Sequence, residues 1–105
     1  MAWIMLVVAG LFEVLWAVAM KQSHGFTRLW PSVITLAGMI ASFLLLSAAM
    51  RSIPLGTAYT IWTGIGTVGA FVAGVVLLGE QANALRVLAA VLIVAGLLLM
   101  KVAGD

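Results

Sequence analysis

The run MAWIMLVVAGLFEVLWAVAM, residues 1–20, decides the fold class of this chain because it is almost free of charge. Glu13 is its one charged side chain. A bilayer core of about 30 Å is crossed by about 20 helical residues. The run therefore predicts a membrane-spanning helix over residues 3–20. At 1.5 Å of rise per residue, this helix places a carboxylate ~2 Å from its own midpoint, and that placement needs an explanation.

The composition of the whole chain indicates a membrane protein. Hydrophobic residues make up 66% of the 105 residues and charged residues 8%, with a mean hydropathy of +1.31, whereas a soluble domain is about 25% charged. Further apolar runs lie at 32–50, 57–78 and 85–100, the last extendable to 103 if Lys101 snorkels. We expect an all-α integral membrane protein, a single domain over residues 1–105 with four transmembrane helices joined by short loops.

The breaks between these runs contain residues that begin or end helices. Pro31 suits the first turn of the second helix, and Pro54 disfavours helix at the residue before it. Gly79 can end the third helix, and Asn83 can cap the fourth. The loops are short, so consecutive helices should run in opposite directions.

The composition also excludes several classes of function. There is no cysteine, and the single histidine, His24, has no partner at ligand spacing, so we expect neither a metal site nor a cofactor. The five basic residues form no patch, which argues against nucleic acid as a partner. The chain contains no nucleophile–base pair, phosphate loop or two-carboxylate site, so we do not expect an enzyme. Glu80 and Asp105 are expected to be solvated ends.

The loop charges indicate almost no preferred orientation in the membrane. One side carries Lys21, Arg28 and Arg86, and the other carries Arg51 and Lys101. Orientation normally follows the excess of Lys and Arg in cytoplasmic loops. Two interpretations stay open: the insertion machinery resolves a weak signal, or the chain is inserted both ways.

Glu13 is the leading candidate for a functional residue. A charge at the bilayer centre costs about 3 kcal/mol or more, and such residues face a bundle interior or a wet cavity. The alternative is a protonated glutamate hydrogen-bonded between helices. Gly10 and Ala17 share its helical face and leave room beside the carboxylate. Trp16, three residues on, can either donate its indole N–H to Glu13 or face lipid.

Polar and aromatic residues in the second and third runs complete the candidate site. Ser42 lies near the middle of its run, where its hydroxyl needs a partner in its own helix or in the site. Tyr59 and Trp62 share one face, and an aromatic beside an acid suits a cation, although a belt at the membrane interface is the alternative. Gly64 and Gly66 mark a plausible kink, or ordinary glycine enrichment in membrane helices.

Small residues predict helix–helix seams in the third and fourth runs. Gly66, Ala70 and Gly74 are spaced four apart, as in small-xxx-small contacts. The fourth run has no central charge and predicts a packing helix. Its Ala89 and Gly96 are a heptad apart on one edge, which fits a seam with another helix.

These features together resemble the small multidrug resistance family of bacterial transporters over essentially the whole chain. The resemblance rests on the acid in the first run, MKQSHGFTRLWPS (residues 20–32), ASF (41–43) and IPLGTAYTIWTGIG (53–66). Within the family, the chain is more similar to the guanidinium exporter subtype than to the exporters of polyaromatic drugs. Four residues fit that subtype: Gly10, Trp16, Met39 and Ser42.

The resemblance implies an antiparallel, dual-topology homodimer in the bacterial plasma (inner) membrane. Dual insertion would account for the balanced loop charges, and two opposed copies would supply the inverted symmetry that many transporters carry within one chain. It further implies a proton-coupled antiporter that exports guanidinium and small substituted guanidinium cations. Three alternatives stay open: a multidrug exporter of hydrophobic quaternary ammonium cations, a passive channel, and a helper subunit that does not transport.

The resemblance also assigns roles to residues of this chain. Glu13 of both subunits would bind substrate and protons, Trp16, Ser42 and Tyr59 would hold the carboxylates in place, and Trp62 would line the pocket. The remaining roles are pocket lining for Gly10 and Met39, a hinge at Gly64 and Gly66, and a dimer interface at Ala89 and Gly96.

Overall fold

The computed structural model describes residues 1–104, so the expectation for Asp105 lies outside the described residues. Within residues 1–104 the chain forms four α-helices: α1 (Ala2–Gln22), α2 (Leu29–Ala49), α3 (Leu55–Leu78) and α4 (Ala84–Gly104). Each is long and apolar enough to cross a bilayer. The prediction of an all-α chain with four spanning helices is confirmed.

The third loop joins α3 to α4 through the two residues expected there. Gly79 has a φ of +70°, in the left-handed region that favours glycine, and the next N–H, of Glu80, donates to the Gly74 carbonyl at 3.0 Å. Asn83 caps α4, since its Oδ1 accepts the backbone N–H of Arg86 at 2.9 Å. Local sequence therefore decides where α3 ends and α4 begins.

The first loop is shorter than the sequence suggested. Helix α2 begins at Leu29 rather than at residue 32, because Pro31 fits within a first turn, whose N–H groups make no intrahelical bonds. Ser23 is fully buried in the loop. Its hydroxyl donates to the Met20 carbonyl at 2.7 Å and accepts the Phe26 N–H at 2.9 Å. The Ser23 hydroxyl therefore provides hydrogen-bond partners for two backbone groups of the tight turn between α1 and α2.

Helix α1 is the centre of the bundle and packs against both α2 and α3, whereas α4 approaches α3. The buried apolar cluster lies in the half of the bundle that contains the start of α1 and the second loop. Its members are Leu6, Ala9, Leu46, Ala49, Ile53, Ala58, Ile61 and Trp62. The opposite half, near the first and third loops, contains a cavity whose lining includes the small residues Ala17, Ala70 and Gly74.

Helix α4 is the most exposed of the described helices, and none of its residues 84–103 is buried. It rests on α3 where Leu97 meets Gly64, at a distance that leaves no room for a Cβ. Near its end, the Lys101 ammonium lies 5.0 Å from the centre of the Trp3 ring, a cation–π distance. Most of the apolar surface of α4 is therefore available to lipid or to another protein.

Candidate functional site

Glu13 lies one residue beyond the middle of α1, half-buried between α1 and α3. Its carboxylate rests directly on Gly66, where any Cβ would overlap it. The buried Oε1 atom has no hydrogen-bond partner among residues 1–104. A buried carboxylate oxygen without a donor is costly, and a proton or a bound cation would stabilise it.

Ser42, on α2, is hydrogen-bonded to both α1 and α3, one helical turn from Glu13. Its hydroxyl is completely buried, donates to the Ala9 carbonyl of α1 at 2.7 Å and accepts the Trp62 indole N–H of α3 at 2.8 Å. Ala9 lies one helical turn before Glu13, so its carbonyl also accepts the backbone N–H of Glu13 in a regular helix. The Trp62–Ser42–Ala9 chain thus holds the backbone that carries the acid.

The contacts of Ser42 differ from one of the two expectations drawn from the sequence. Its hydroxyl does not bond to its own helix: it donates to the Ala9 carbonyl of α1 and accepts the N–H of Trp62, another predicted site residue. The reason is the close packing of α1 on α2, which brings a backbone carbonyl within reach of a buried serine. In this chain Ser42 is therefore joined to the helix that carries Glu13 through the Ala9 carbonyl.

We expect Ser42→Ala to lower the free energy of unfolding by about 1–2 kcal/mol, because it leaves the buried Trp62 N–H without an acceptor. Unfolding of the purified protein in mild detergent, titrated with a denaturing detergent, measures this change. Ser47→Ala is the matched control, since Ser47 is exposed on the same helix. Equal effects of the two substitutions would show that the Trp62–Ser42–Ala9 chain does not stabilise the fold.

Trp16 does not form the hydrogen bond to Glu13 that its spacing allowed. Its indole Nε1 is buried and unpartnered among residues 1–104. The side chain leaves α1 toward α2, where a Cβ at Gly38 would lie 3.0 Å from the Trp16 Cβ. Glu13 instead faces α3, so the two side chains diverge. The lipid-facing alternative is also wrong for the indole N–H, which is shielded.

The aromatic residues gather around Trp62, which is 7% exposed. Its ring centre lies 5.5 Å from that of Tyr59 and 5.8 Å from that of Phe43, both tilted. A belt at the membrane interface is therefore the wrong interpretation for Trp62. Tyr59 is 53% exposed and stands at the edge of the cluster. Sequence reasoning missed Phe43, although it follows Ser42 directly in the ASF motif.

Thr63 is a second polar residue that sequence reasoning missed. Its hydroxyl is buried without a hydrogen-bond partner among the described residues. Thr63 lines an open groove of about 530 Å³ between α3 and α4, together with Tyr59, Thr60, Thr67 and Gly96. The spacing of Tyr59, Thr63 and Thr67, four residues apart, carried this signal.

The family assignment follows from comparison with known proteins. The family model described as Small Multidrug Resistance protein matches residues 1–102. The chain belongs to the small multidrug resistance family. Three similar relatives carry the name Guanidinium exporter. They come from Yersinia pseudotuberculosis (58% identity, covering 98% of this chain and 99% of the relative), Escherichia coli K12 (58%, 96% and 96%) and Salmonella typhimurium (57%, 96% and 96%).

The names of the family and of these relatives indicate a transporter rather than an enzyme. With its four spanning helices, this small multidrug resistance chain is a multi-pass membrane protein. Within residues 1–104, no group of three His, Cys, Asp or Glu side chains comes together as a metal site would require. The candidate site therefore consists of one acid, its supporting hydroxyl and an aromatic cluster.

The remaining predicted residues of this small multidrug resistance chain lie where helices approach closely or on exposed faces. Gly10 is in close contact with the Ile65 side chain of α3, where a Cβ would overlap it. Met39 is half-buried on α2, and Ala89 and Gly96 lie on exposed parts of α4. Helix α3 runs unbroken past Gly64 and Gly66. The lining, hinge and dimer roles of these residues stay predictions.

Proposed function

We propose that this chain exports guanidinium and small substituted guanidinium cations from bacteria, across the inner membrane, in exchange for protons. The observation that carries the proposal is the half-buried Glu13, whose Oε1 has no donor among residues 1–104. Guanidinium is planar, and its N–H groups pair with a carboxylate in a two-pronged arrangement. The names of the relatives support the same substrate.

Competition for the Glu13 carboxylate accounts for the exchange. Removing a carboxylate from water favours its protonated form, so a proton and guanidinium occupy the same oxygens in turn. Protons that arrive from one side release the cation, and the loaded site then changes access. An empty site changes access slowly, because unpaired carboxylates would have to be occluded from water. Fast proton leak without substrate would contradict this scheme.

The aromatic cluster favours a flat cation over a bulky one. The Trp62 N–H is already used by Ser42, so Trp62 offers only its ring faces, which attract a cation by their quadrupole. Tyr59 and Phe43 pack closely against that ring and leave it little freedom. A hydrophobic quaternary ammonium ion donates no hydrogen bonds and would need a wider pocket than this packing provides.

We further propose that the working unit is an antiparallel homodimer in which both Glu13 carboxylates share the site and alternate their access. The absence of buried residues over positions 84–103 of α4 supports a helix that packs on a second copy, with Ala89 and Gly96 in the seam. The balanced loop charges support insertion in both orientations. Two opposed copies then supply the symmetry needed for alternating access.

Thiol labelling tests the dual orientation directly, because the chain has no cysteine of its own. In the His24→Cys variant, the introduced thiol lies in the first loop, on an exposed residue. A membrane-impermeant reagent should label about half of the copies from each side of native membranes if both orientations are inserted equally. Labelling from one side alone would contradict the antiparallel dimer.

Proton release from liposomes that contain only this purified protein tests the function. Addition of guanidinium should drive proton movement when no other ion gradient is present. A tetra-aryl cation should drive little proton movement. The reverse preference would indicate the multidrug exporter. Guanidinium current without linked protons would indicate a channel, and no transport by the protein alone would indicate a helper subunit.

A further inference from the structure

A small cavity lies between α1 and α3 at the end of the bundle that bears the first and third loops. Its volume is about 180 Å³, enough for several waters at about 30 Å³ each in the liquid. Two of its lining side chains are charged, and they carry opposite charges. The lining residues are Ala17, Val18, Lys21, Ala70, Gly74, Leu78 and Glu80.

The cavity lies further along the same faces of α1 and α3 that meet at Glu13. Ala17 and Lys21 follow Glu13 by four and eight residues on α1, which places all three on one helical face. On α3, Ala70 and Gly74 follow Gly66 at the same spacing, and Gly66 touches the Glu13 carboxylate. Both helices run in the same direction, so small side chains flank the path of ~12 Å from the acid to the cavity mouth.

The carboxylate of Glu80 is folded back over the end of α3 rather than extended away from it. The left-handed Gly79 turns the chain, and the Glu80 N–H donates to the Gly74 carbonyl at 3.0 Å. The Glu80 carboxylate then lies against Gly74, so closely that a Cβ there would overlap it. A larger residue at position 74 would push this carboxylate out of the cavity.

The nearby arginine is engaged on another side of α3. Arg86 donates from Nη1 to the Gln81 carbonyl at 2.8 Å, and its guanidinium lies 5.2 Å from the centre of the Phe71 ring. Lys21 is the cationic side chain that shares the cavity with Glu80. The cavity thus holds a carboxylate and an ammonium that can pair with each other or be separated by an entering cation.

We infer that this cavity is the vestibule through which the exported cation passes between Glu13 and water, with Glu80 as an outer binding position and Lys21 as its competitor. The vestibule rests on the proposed exchange at Glu13. Glu80 raises the local concentration of cations at the mouth. A guanidinium ion displaces the Lys21 ammonium because its planar N–H groups match a carboxylate better than a point charge does.

Kinetics of guanidinium-driven proton release in liposomes test the two charges. At low ionic strength, Glu80→Gln should raise KM by about 3–10-fold with kcat changed less than twofold, and Lys21→Gln should lower KM, since charges at a rim act on association. Glu80→Asp should restore most of the wild-type KM. Both shifts should shrink at about 1 M salt, where the Debye length falls to about 3 Å. Shifts in the same direction, or a loss confined to kcat, would overturn the inference.

Thiol accessibility gives a readout that does not depend on transport. In the Ala70→Cys variant, the thiol faces the cavity, and a small cationic methanethiosulfonate should modify it about 10-fold faster than in Val72→Cys, because only a hydrated thiol ionises readily. Val72 is the matched control, two residues away, 51% exposed and on the side of α3 toward α4 rather than in the cavity. Guanidinium should slow the reaction at position 70 and not at position 72.

The two measurements separate failure of the vestibule from failure of the proposed function. If the wild-type protein exchanges guanidinium for protons but Ala70→Cys reacts no faster than Val72→Cys, the vestibule is wrong and the exchange stands. If the wild-type protein fails to exchange, the proposed function is wrong and the vestibule falls with it, whatever the labelling shows.

Discussion

Guanidinium-driven proton release should fall by at least ~100-fold in Glu13→Gln, to the background of empty liposomes. Glutamine has nearly the shape of glutamate, so the packing against Gly66 is kept, but the carboxamide neither takes up a proton nor pairs with a cation. Removing one partner of a buried ion pair costs about 3–5 kcal/mol, and each 1.4 kcal/mol is a factor of ten in affinity. Proton flux in liposomes measures the loss.

Guanidinium binding measured at several pH values tests whether proton and cation compete for Glu13. In the wild-type protein, acidification should weaken guanidinium binding, by up to about tenfold per pH unit for each proton that the cation displaces, because proton and cation exclude each other. In Glu13→Gln, the residual binding should not depend on pH. Glu13→Asp, which keeps a carboxylate on a shorter stem, is the control and should retain measurable exchange. Full exchange by the glutamine variant would place the shared site elsewhere.

Gly66→Ala should have the second largest effect, a fall of about tenfold or more in exchange rate. The added Cβ would overlap the Glu13 carboxylate, so either the acid is displaced or α1 and α3 separate. Overpacking of this kind costs typically about 1–3 kcal/mol. The exchange rate in liposomes and the free energy of unfolding in detergent should both decrease.

Gly56→Ala is the matched control for that substitution, because it makes the same chemical change on the same helix in open space. No atom lies within 4 Å of a Cβ built at Gly56, and alanine favours helix over glycine. We expect exchange and stability to be unchanged or slightly improved. Normal exchange by Gly66→Ala would show that the contact between α3 and the carboxylate does not position Glu13.

The helices were predictable from sequence because their causes are local. Hydropathy and length identify a span without reference to any other helix, and the ends of α3 and α4 follow from Gly79 and Asn83, whose effects reach only a few residues. The structure starts α2 three residues before the predicted apolar run, because Pro31 fits inside the first turn of the helix and does not have to precede it.

The sequence indicated Glu13, Ser42, Tyr59 and Trp62 as candidate site residues, but not the contacts that join them. Glu13 stood out because a carboxylate in the middle of an apolar span is expensive wherever it points. The partners of the other polar groups were not predictable, since spacing along one helix cannot say which neighbouring helix a side chain meets. Trp16 and Glu13 are three residues apart, yet they face α2 and α3 respectively. Thr63 and Phe43 were missed although the four-residue spacing on α3 and the ASF motif pointed to them.

By itself, the sequence determined that this protein is a bundle of four membrane-spanning helices with one acid near the middle of the first. These properties depend on the free energy of transferring each segment from water to lipid. That free energy is a sum of contributions from the residues of the segment. Only the tertiary structure decided that Ser42 bridges Ala9 and Trp62, that Gly66 receives the carboxylate, and that Glu80 shares a cavity with Lys21. Those contacts depend on how far each helix is rotated against its neighbours, which close packing between helices sets and no single segment encodes.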